Sequence, residues 1–314
     1  MTWKVLVTAP RAFPALDRYR HELREAGCEV EAHIPVERFD EHELLGLVGD
    51  VDGLICGDDR ITDQVLAVAP RLKVIAKWGT GIDSIDHAAA ATRGVAVCNT
   101  PDAFSEPVAD SVLGYILLFA RQLDRMTEDV RSGQWFHLPL RALSECTLGI
   151  VGFGNIGTVV ARRAAVFGMR VLACDVRPLS GSAADALGVG VVPLEQLLAE
   201  SDFVSLHADL RPENRRFMNA ERFALMRPSA VLINTARGPL VDEAALVSAL
   251  QEGRIAGAAL DVFDIEPLPM ASPLRTLRNV YLAPHNANSS PAAADRVHAN
   301  TIRNVLRVLA APRP

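Results

Sequence analysis

Three polar residues of this chain fall just past apolar runs that read as parallel strands, the edge at which an α/β sheet binds ligands. Arg237 follows Ile233-Asn234-Thr235-Ala236, Glu266 lies in the loop after Leu260-Asp261, and His285 follows Leu282-Ala283-Pro284. An arginine there offers a planar fork of donors to a carboxylate or a polarised carbonyl. A histidine exchanges protons near neutral pH. A glutamate beside it would hold the imidazole in place and raise its pKa by favouring the charged form. Singly, each residue also has an ordinary reading: a solvated loop arginine, a Glu-Pro turn, one of eight histidines. Their shared position at strand ends favours all three together, although spacing alone does not bring them into contact.

A dinucleotide site accompanies them. Val151-Gly152-Phe153-Gly154-Asn155-Ile156-Gly157 is a G-x-G-x-x-G that ends the apolar run Cys146–Val151 and opens a helical one closed by Gly168. A second apolar strand, Arg170–Cys174, runs into Asp175, 18 residues after the last glycine. Gly152 permits the tight turn, Gly154 the approach of a pyrophosphate, and Gly157 the packing of helix on strand. The helix N-terminus meets the negative charge, and Asp175 can accept hydrogen bonds from a ribose diol. A carboxylate at that point repels a 2′-phosphate, so NAD is expected rather than NADP. Arg177 is expected over the adenine or in solvent.

The elements that must position these residues alternate along the chain. Strands are expected at Lys4–Val7, Glu29–Ile34, Asp52–Cys56, Leu72–Ala76 and Val95–Cys98, with a helix from about Pro14 to Ala26 and helical stretches between the later strands. One long helix is expected from Ser105 to about Arg131. After the glycine loop come strands at Phe203–Leu206, Ala230–Asn234, Ala256–Asp261 and Val280–Ala283, and a final helix at about Pro291–Leu309. The fold class is therefore α/β: two doubly wound, Rossmann-like or flavodoxin-like domains with parallel sheets and an active-site cleft between them. The 314 residues suffice for two such cores, and the low aromatic content, 5%, suits aliphatic parallel strands.

Composition also narrows the partners and the compartment. A formal net charge of −6 without a basic cluster argues against nucleic acid or an acidic membrane surface. Five cysteines, odd in number and without C-x-x-C spacing, read as reduced residues of a cytoplasmic protein, and no metal is called for. The N-terminus enters a strand without a signal-peptide pattern. The most apolar helical run, Val112–Ala120, is too short to span a bilayer.

The stretch Asn234-Thr235-Ala236-Arg237-Gly238-Pro239-Leu240-Val241-Asp242-Glu243 resembles a signature of the D-isomer-specific 2-hydroxyacid dehydrogenase family. So do Gly257–Phe263 leading to Glu266-Pro267, Ala283-Pro284-His285, Gly79-Thr80-Gly81-Ile82-Asp83-Ser84-Ile85-Asp86, Val97–Pro101 and Arg131–Trp135. The likeness covers essentially the whole chain, with the motifs in the family's order. It implies an NAD-dependent oxidoreductase that interconverts a small D-2-hydroxy acid and its 2-keto acid. Arg237 would bind the substrate carboxylate and carbonyl, and His285 would be the acid or base, paired with Glu266. The backbone at Thr80 and Gly81 would cradle the carboxylate. Around NAD the resemblance places Gly152, Gly154, Asn155, Ile156 and Gly157 at the pyrophosphate and Asp175 on the ribose. His207, Thr235, Ala236 and Arg237 would line the cofactor, with Asp261 and His285 towards the nicotinamide and Val108 as an apolar wall. It further implies a substrate domain of residues 1–99 with 287–314, an NAD-binding domain of residues 100–286, and a homodimer formed through the latter.

Three segments depart from the family pattern. Asn286–Ser290 is more polar than usual and would either cap the last helix or set substrate preference. Asp209 stands where relatives carry proline. In Cys56-Gly57-Asp58-Asp59-Arg60 two aspartates stand near where phosphoglycerate dehydrogenases carry arginines, and Arg60 is the one nearby cation; the expected substrate is therefore not phosphorylated. Two other readings are 3-phosphoglycerate dehydrogenation and a non-catalytic, corepressor-like NAD sensor on the same scaffold.

Overall fold

The computed structural model describes residues 2–179 and 183–310. Residues 1, 180–182 and 311–314 lie outside the described residues, and with them the outer ends of the two segments expected to form the first domain. The chain divides into two compact units, Met1–Ala103 with Ser290–Pro314, and Phe104–Ser289.

In the first unit β1 (Trp3–Val7), β2 (Cys28–Ala32), β3 (Gly53–Cys56), β4 (Val74–Lys77) and β5 (Ala96–Cys98) form a parallel sheet in the order β2-β1-β3-β4-β5. β3 and β4 are buried along their whole length, which is why they are continuous apolar runs rather than alternating ones, Lys77 excepted. The expected helix over 14–26 starts as a 3-10 turn, Pro10–Ala15, and becomes α-helical at Leu16, because Pro14 has no N–H for the ladder. The helix Pro291–Leu309 buries Val297, His298, Ile302 and Val305. Its cap is Ser290, whose hydroxyl accepts the Ala293 N–H, so the polar departure ends in a helix start. Trp78 Nε1 donates to His298 Nδ1 at 3.0 Å, fastening the chain just past β4 to this helix.

The second unit holds β6 (Thr147–Val151), β7 (Arg170–Cys174), β8 (Gly190–Val191), β9 (Phe203–Leu206), β10 (Val231–Asn234), β11 (Gly257–Leu260) and β12 (Val280–Leu282). They pair in parallel in the order β12-β11-β10-β9-β6-β7-β8. The chain builds outwards from β6 to one side, then returns to lay β9 on its other side. A crevice therefore opens at the carboxyl ends of β6 and β9, the place where dinucleotides bind on this fold.

Two elements differ from expectation. The long helix is two, Ser105–Arg121 and Leu123–Arg131, broken at Gln122 in the left-handed region (φ 44°). No Gly or Pro marks the break, and its reason lies in packing. The first helix buries Val108, Ala109, Val112, Leu113 and Ile116, whereas the second buries no residue. β8 adds an edge strand that two residues are too short to announce. All five cysteines are free thiols, and no helix among the described residues is long and apolar enough to cross a membrane.

Candidate active site

Two of the three fingerprint glycines are demanded by the chain itself. At Gly152 (φ 92°) a Cβ would stand 2.7 Å from the His207 carbonyl carbon and from the Ala208 nitrogen, and at Gly157 it would strike the Gly152 carbonyl oxygen. Gly154 differs: nothing lies within 4 Å of its Cβ position except the far end of Arg177, at 4.0 Å. The open side of Gly154 adjoins the first turn of the helix Asn155–Val166, where Asn155 and Ile156 sit at a positive helix end. One residue past β10, two strands from β6, the buried hydroxyl of Thr235 has no hydrogen-bond partner in the described protein. An open glycine at a helix start and an orphaned hydroxyl past β10 fit a bound dinucleotide.

Asp175, one residue past β7, is held on both oxygens. Oδ2 accepts the Phe153 N–H at 2.8 Å, and Oδ1 accepts the Arg177 N–H at 2.9 Å and its guanidinium Nε at 3.2 Å. Burial pushes this carboxyl up, but the hydrogen bonds from Arg177 and Phe153 outweigh it and hold the pKa below the ordinary value. Arg177, its side chain 68% exposed, meets solvent as expected and also clasps the Asp175 carboxylate.

His207 follows β9, its N–H donating to the Val151 carbonyl at 2.7 Å and its Nε2 lying 2.9 Å from Ser205 Oγ. Burial pushes its pKa down to about 4, so the ring is neutral at physiological pH. Val108 is buried on the helix Ser105–Arg121, which packs on the helix Asn155–Val166.

The turn after β10 is built by a residue the sequence reading did not single out. Asn234, fully buried, accepts the Ala236 N–H at 3.1 Å and donates from Nδ2 to the Arg237 carbonyl at 2.9 Å. Arg237 Nη1 donates back to the Ala236 carbonyl at 2.8 Å. Gly238 then passes so close to the backbone of Phe263 and Asp264 that no Cβ fits. Glu243 Oε1 accepts the Asp264 N–H at 2.7 Å, a second tie between the loops bearing Arg237 and Glu266.

Glu266 bridges its own loop and the histidine. Oε1 accepts the Phe263 N–H at 2.8 Å, and Oε2 lies 2.9 Å from His285 Nδ1, with both side chains largely buried. His285 sits in the left-handed region (φ 51°), which a non-glycine residue adopts only when its surroundings compel it. Asp261 supplies that compulsion. Its carbonyl accepts the His285 N–H at 2.7 Å, and its carboxylate accepts the Asn286 and Ala287 N–H groups at 2.8 and 2.9 Å. The expected nicotinamide contact is thus a buried carboxylate that shapes the histidine turn.

Thr80 and Gly81 belong to the first unit. Thr80 Oγ1 donates to the Thr100 carbonyl at 2.9 Å, and Asn99 Nδ2 donates to the Thr80 carbonyl. The preceding segment corrects two expectations. Asp59 faces inward, fully buried, accepting from the Thr8 hydroxyl and from the Phe39 and Gly57 N–H groups; burial raises its pKa. Only Asp58 of the two aspartates therefore meets solvent. Nor is Arg60 the one nearby cation, since Lys77 at the end of β4 lies 2.7 Å from Asp58. A lysine ending a fully apolar strand was the signal for it.

Comparison with known proteins agrees with this geometry. Residues 113–287, more than half of the chain, match the family described as D-isomer specific 2-hydroxyacid dehydrogenase, NAD binding domain. A glyoxylate reductase of Thermofilum pendens is 40% identical over 322 residues, covering 99% of this chain and 93% of its own. A D-3-phosphoglycerate dehydrogenase of Methanocaldococcus jannaschii is 38% identical over 97% of this chain and 57% of its own. The crystal structure of D-lactate dehydrogenase from Aquifex aeolicus, complexed with NAD and lactic acid, superposes with a TM-score of 0.87 at 28% identity, over 98% of this chain and 95% of that one. The chain belongs to the D-isomer-specific 2-hydroxyacid dehydrogenase family. It is an NAD-dependent oxidoreductase.

Proposed function

We propose that this chain interconverts a small 2-keto acid and the corresponding D-2-hydroxy acid, with His285 as the proton donor in reduction and the acceptor in oxidation. The observation that carries the reading is the Glu266–His285 pair at 2.9 Å, set in a left-handed turn past β12. With Nδ1–H donated to Glu266, the imidazole exchanges its proton at Nε2, and the carboxylate stabilises the imidazolium. Arg237 binds the substrate carboxylate and polarises the 2-keto oxygen. Thr80 and Gly81 offer backbone N–H groups to the carboxylate. NAD, when bound, supplies the hydride acceptor and, reduced, the hydride donor. Gly152, Gly154, Asn155, Ile156 and Gly157 hold its pyrophosphate and Asp175 its ribose. His207, Thr235 and Ala236 line it, while Val108 and Asp261 bound the nicotinamide end.

Two coarser features extend the reading. The helix Leu123–Arg131 buries none of its residues, and Leu123, Val130, Trp135 and Phe136 are exposed apolar side chains, supporting a homodimer through the second unit. Free thiols on all five cysteines support a reducing, cytoplasmic setting. The test is NADH oxidation against glyoxylate, hydroxypyruvate, pyruvate, phenylpyruvate and 3-phosphohydroxypyruvate, with the product's configuration read by chiral chromatography. Turnover to a D-product supports the proposal; silence with NADH bound, or an L-product, contradicts it.

A further inference from the structure

The chain just past β4 is gripped from the last helix, Pro291–Leu309, at two points. Trp78 Nε1 donates to His298 Nδ1 at 3.0 Å. Thr80 is reached indirectly, through Asn99 and Thr100, which follow β5. Asn300 Nδ2 donates to the Asn99 carbonyl at 3.1 Å and to the Thr100 hydroxyl at 2.9 Å. Asn304 Nδ2 donates to the same Asn99 carbonyl at 3.2 Å. Asn99 and Thr100 in turn hold three groups of the loop. The Asn99 amide donates to the Thr80 carbonyl, and the Thr100 N–H donates to the Gly79 carbonyl at 2.8 Å. The Thr100 carbonyl accepts the Thr80 hydroxyl at 2.9 Å. Among the described residues the Thr80 and Gly81 N–H groups donate to no protein acceptor. Two carbonyls and a hydroxyl thus fix the loop, and two N–H groups are left to a ligand.

Stability alone is a poor reason for this arrangement. Asparagine is a weak helix former, yet two of them stand four residues apart on one half-buried face of the last helix. The helix is already fixed by the buried Val297, Ile302, Val305 and Leu309 and by its Ser290 cap. We infer that Asn300, seconded by Asn304, is a positioning residue for the substrate carboxylate. From the last helix it holds Asn99 and Thr100, which aim the Thr80 and Gly81 N–H groups, and so it sets the KM for the keto acid. The inference rests on the keto-acid reading above. The carboxylate keeps its charge while the neighbouring carbonyl is reduced, so its site binds ground state and transition state alike. Loosening that site therefore raises KM and leaves kcat nearly unchanged.

The experiment measures kcat and KM for the two keto acids of the panel above that the protein reduces fastest, with NADH saturating. It adds the inhibition constant of oxamate, a carboxylate that is not reduced. Asn300→Leu roughly keeps the side-chain volume, favours the helix and removes both donors. It should raise KM for both keto acids about tenfold and the oxamate constant by the same factor, with kcat and the KM for NADH within about threefold. Its Tm should stay within about 4 °C. Asn304→Leu, which leaves the bond to the Thr100 hydroxyl, should raise KM about threefold. Thr100→Val puts a methyl where Asn300 reaches a hydroxyl, and serves if Asn300→Leu fails to fold. It too should raise KM about threefold, and should add less than that on top of Asn300→Leu, because one bond joins the two residues. An unchanged KM in Asn300→Leu or Thr100→Val, or a loss shared equally between keto acid and NADH, overturns the inference while leaving the dehydrogenase standing. No turnover of any keto acid of the panel by the unsubstituted protein overturns both.

Discussion

Asp175→Ala should turn the cofactor preference from NADH towards NADPH. The carboxylate is ionised at every pH above its ordinary range, since Arg177 and Phe153 hold its pKa low against the effect of burial. Its removal takes from the ribose diol charge-assisted hydrogen bonds worth about 1.5–3 kcal/mol, a loss of roughly 10- to 150-fold in kcat/KM for NADH. The same change frees the Arg177 guanidinium, 68% exposed and held at 3.2 Å by Asp175, for a 2′-phosphate. Relief of repulsion and a new arginine–phosphate pair should raise kcat/KM for NADPH about tenfold or more, so the NADH-to-NADPH ratio moves by about two orders of magnitude. Initial rates with each cofactor at saturating keto acid measure it, and Asp175→Ala/Arg177→Ala should lose the NADPH gain. Because the carboxylate stays charged, the preference of the unsubstituted enzyme should be flat between about pH 6 and 8. A ratio that moves less than about threefold, or a gain that survives without Arg177, would refute the clasp as the basis of cofactor choice.

His207 and Gly238 yield two further expectations. Folded His207 titrates at about 4 rather than 6.5, so between those values the unfolded chain takes a proton that the folded one refuses. Stability is complete above pH 6.5 and falls on acidification by up to about 1.4 kcal/mol per pH unit, levelling below 4. Urea denaturation from pH 7.5 to 4.5 should show this slope reduced in His207→Asn; identical slopes would contradict it. Gly238→Ala drives a Cβ into the Phe263 carbonyl and towards the Asp264 nitrogen, 2.5 Å away. It should cost about 1–3 kcal/mol in thermal stability and at least about tenfold in kcat/KM by parting the loops of Arg237 and Glu266. A variant with unchanged melting temperature and rate would show that the loops are not so joined.

Much of this was legible because it is local. β7 and β9 coincide with their apolar runs, and Gly152, Gly157 and Asp175 follow from the strand–turn–helix order that gives each a steric or polar duty. Ser290 announced a helix cap by type and place. What could not be read depends on groups distant in sequence. The break at Gln122 carries no Gly or Pro, because the difference lies in what each half packs against. Asp58 and Asp59 are adjacent and identical in kind, yet Thr8 and Phe39 draw one inward while Lys77 pairs with the other. Arg177 reads as a surface charge until Asp175 is seen to hold it. Asp261 reads as a ligand residue, and only the fold shows its carboxylate closing the turn that carries His285.

The measurement that bears most directly on the central claim is turnover of His285→Asn beside the unsubstituted enzyme, with NADH binding followed by fluorescence in both. Loss of the proton donor should lower kcat by about 10²–10⁴-fold while the dissociation constant for NADH stays within about threefold. A variant that binds NADH and still reduces the keto acid within about tenfold of the normal rate would place the proton transfer elsewhere and contradict the account.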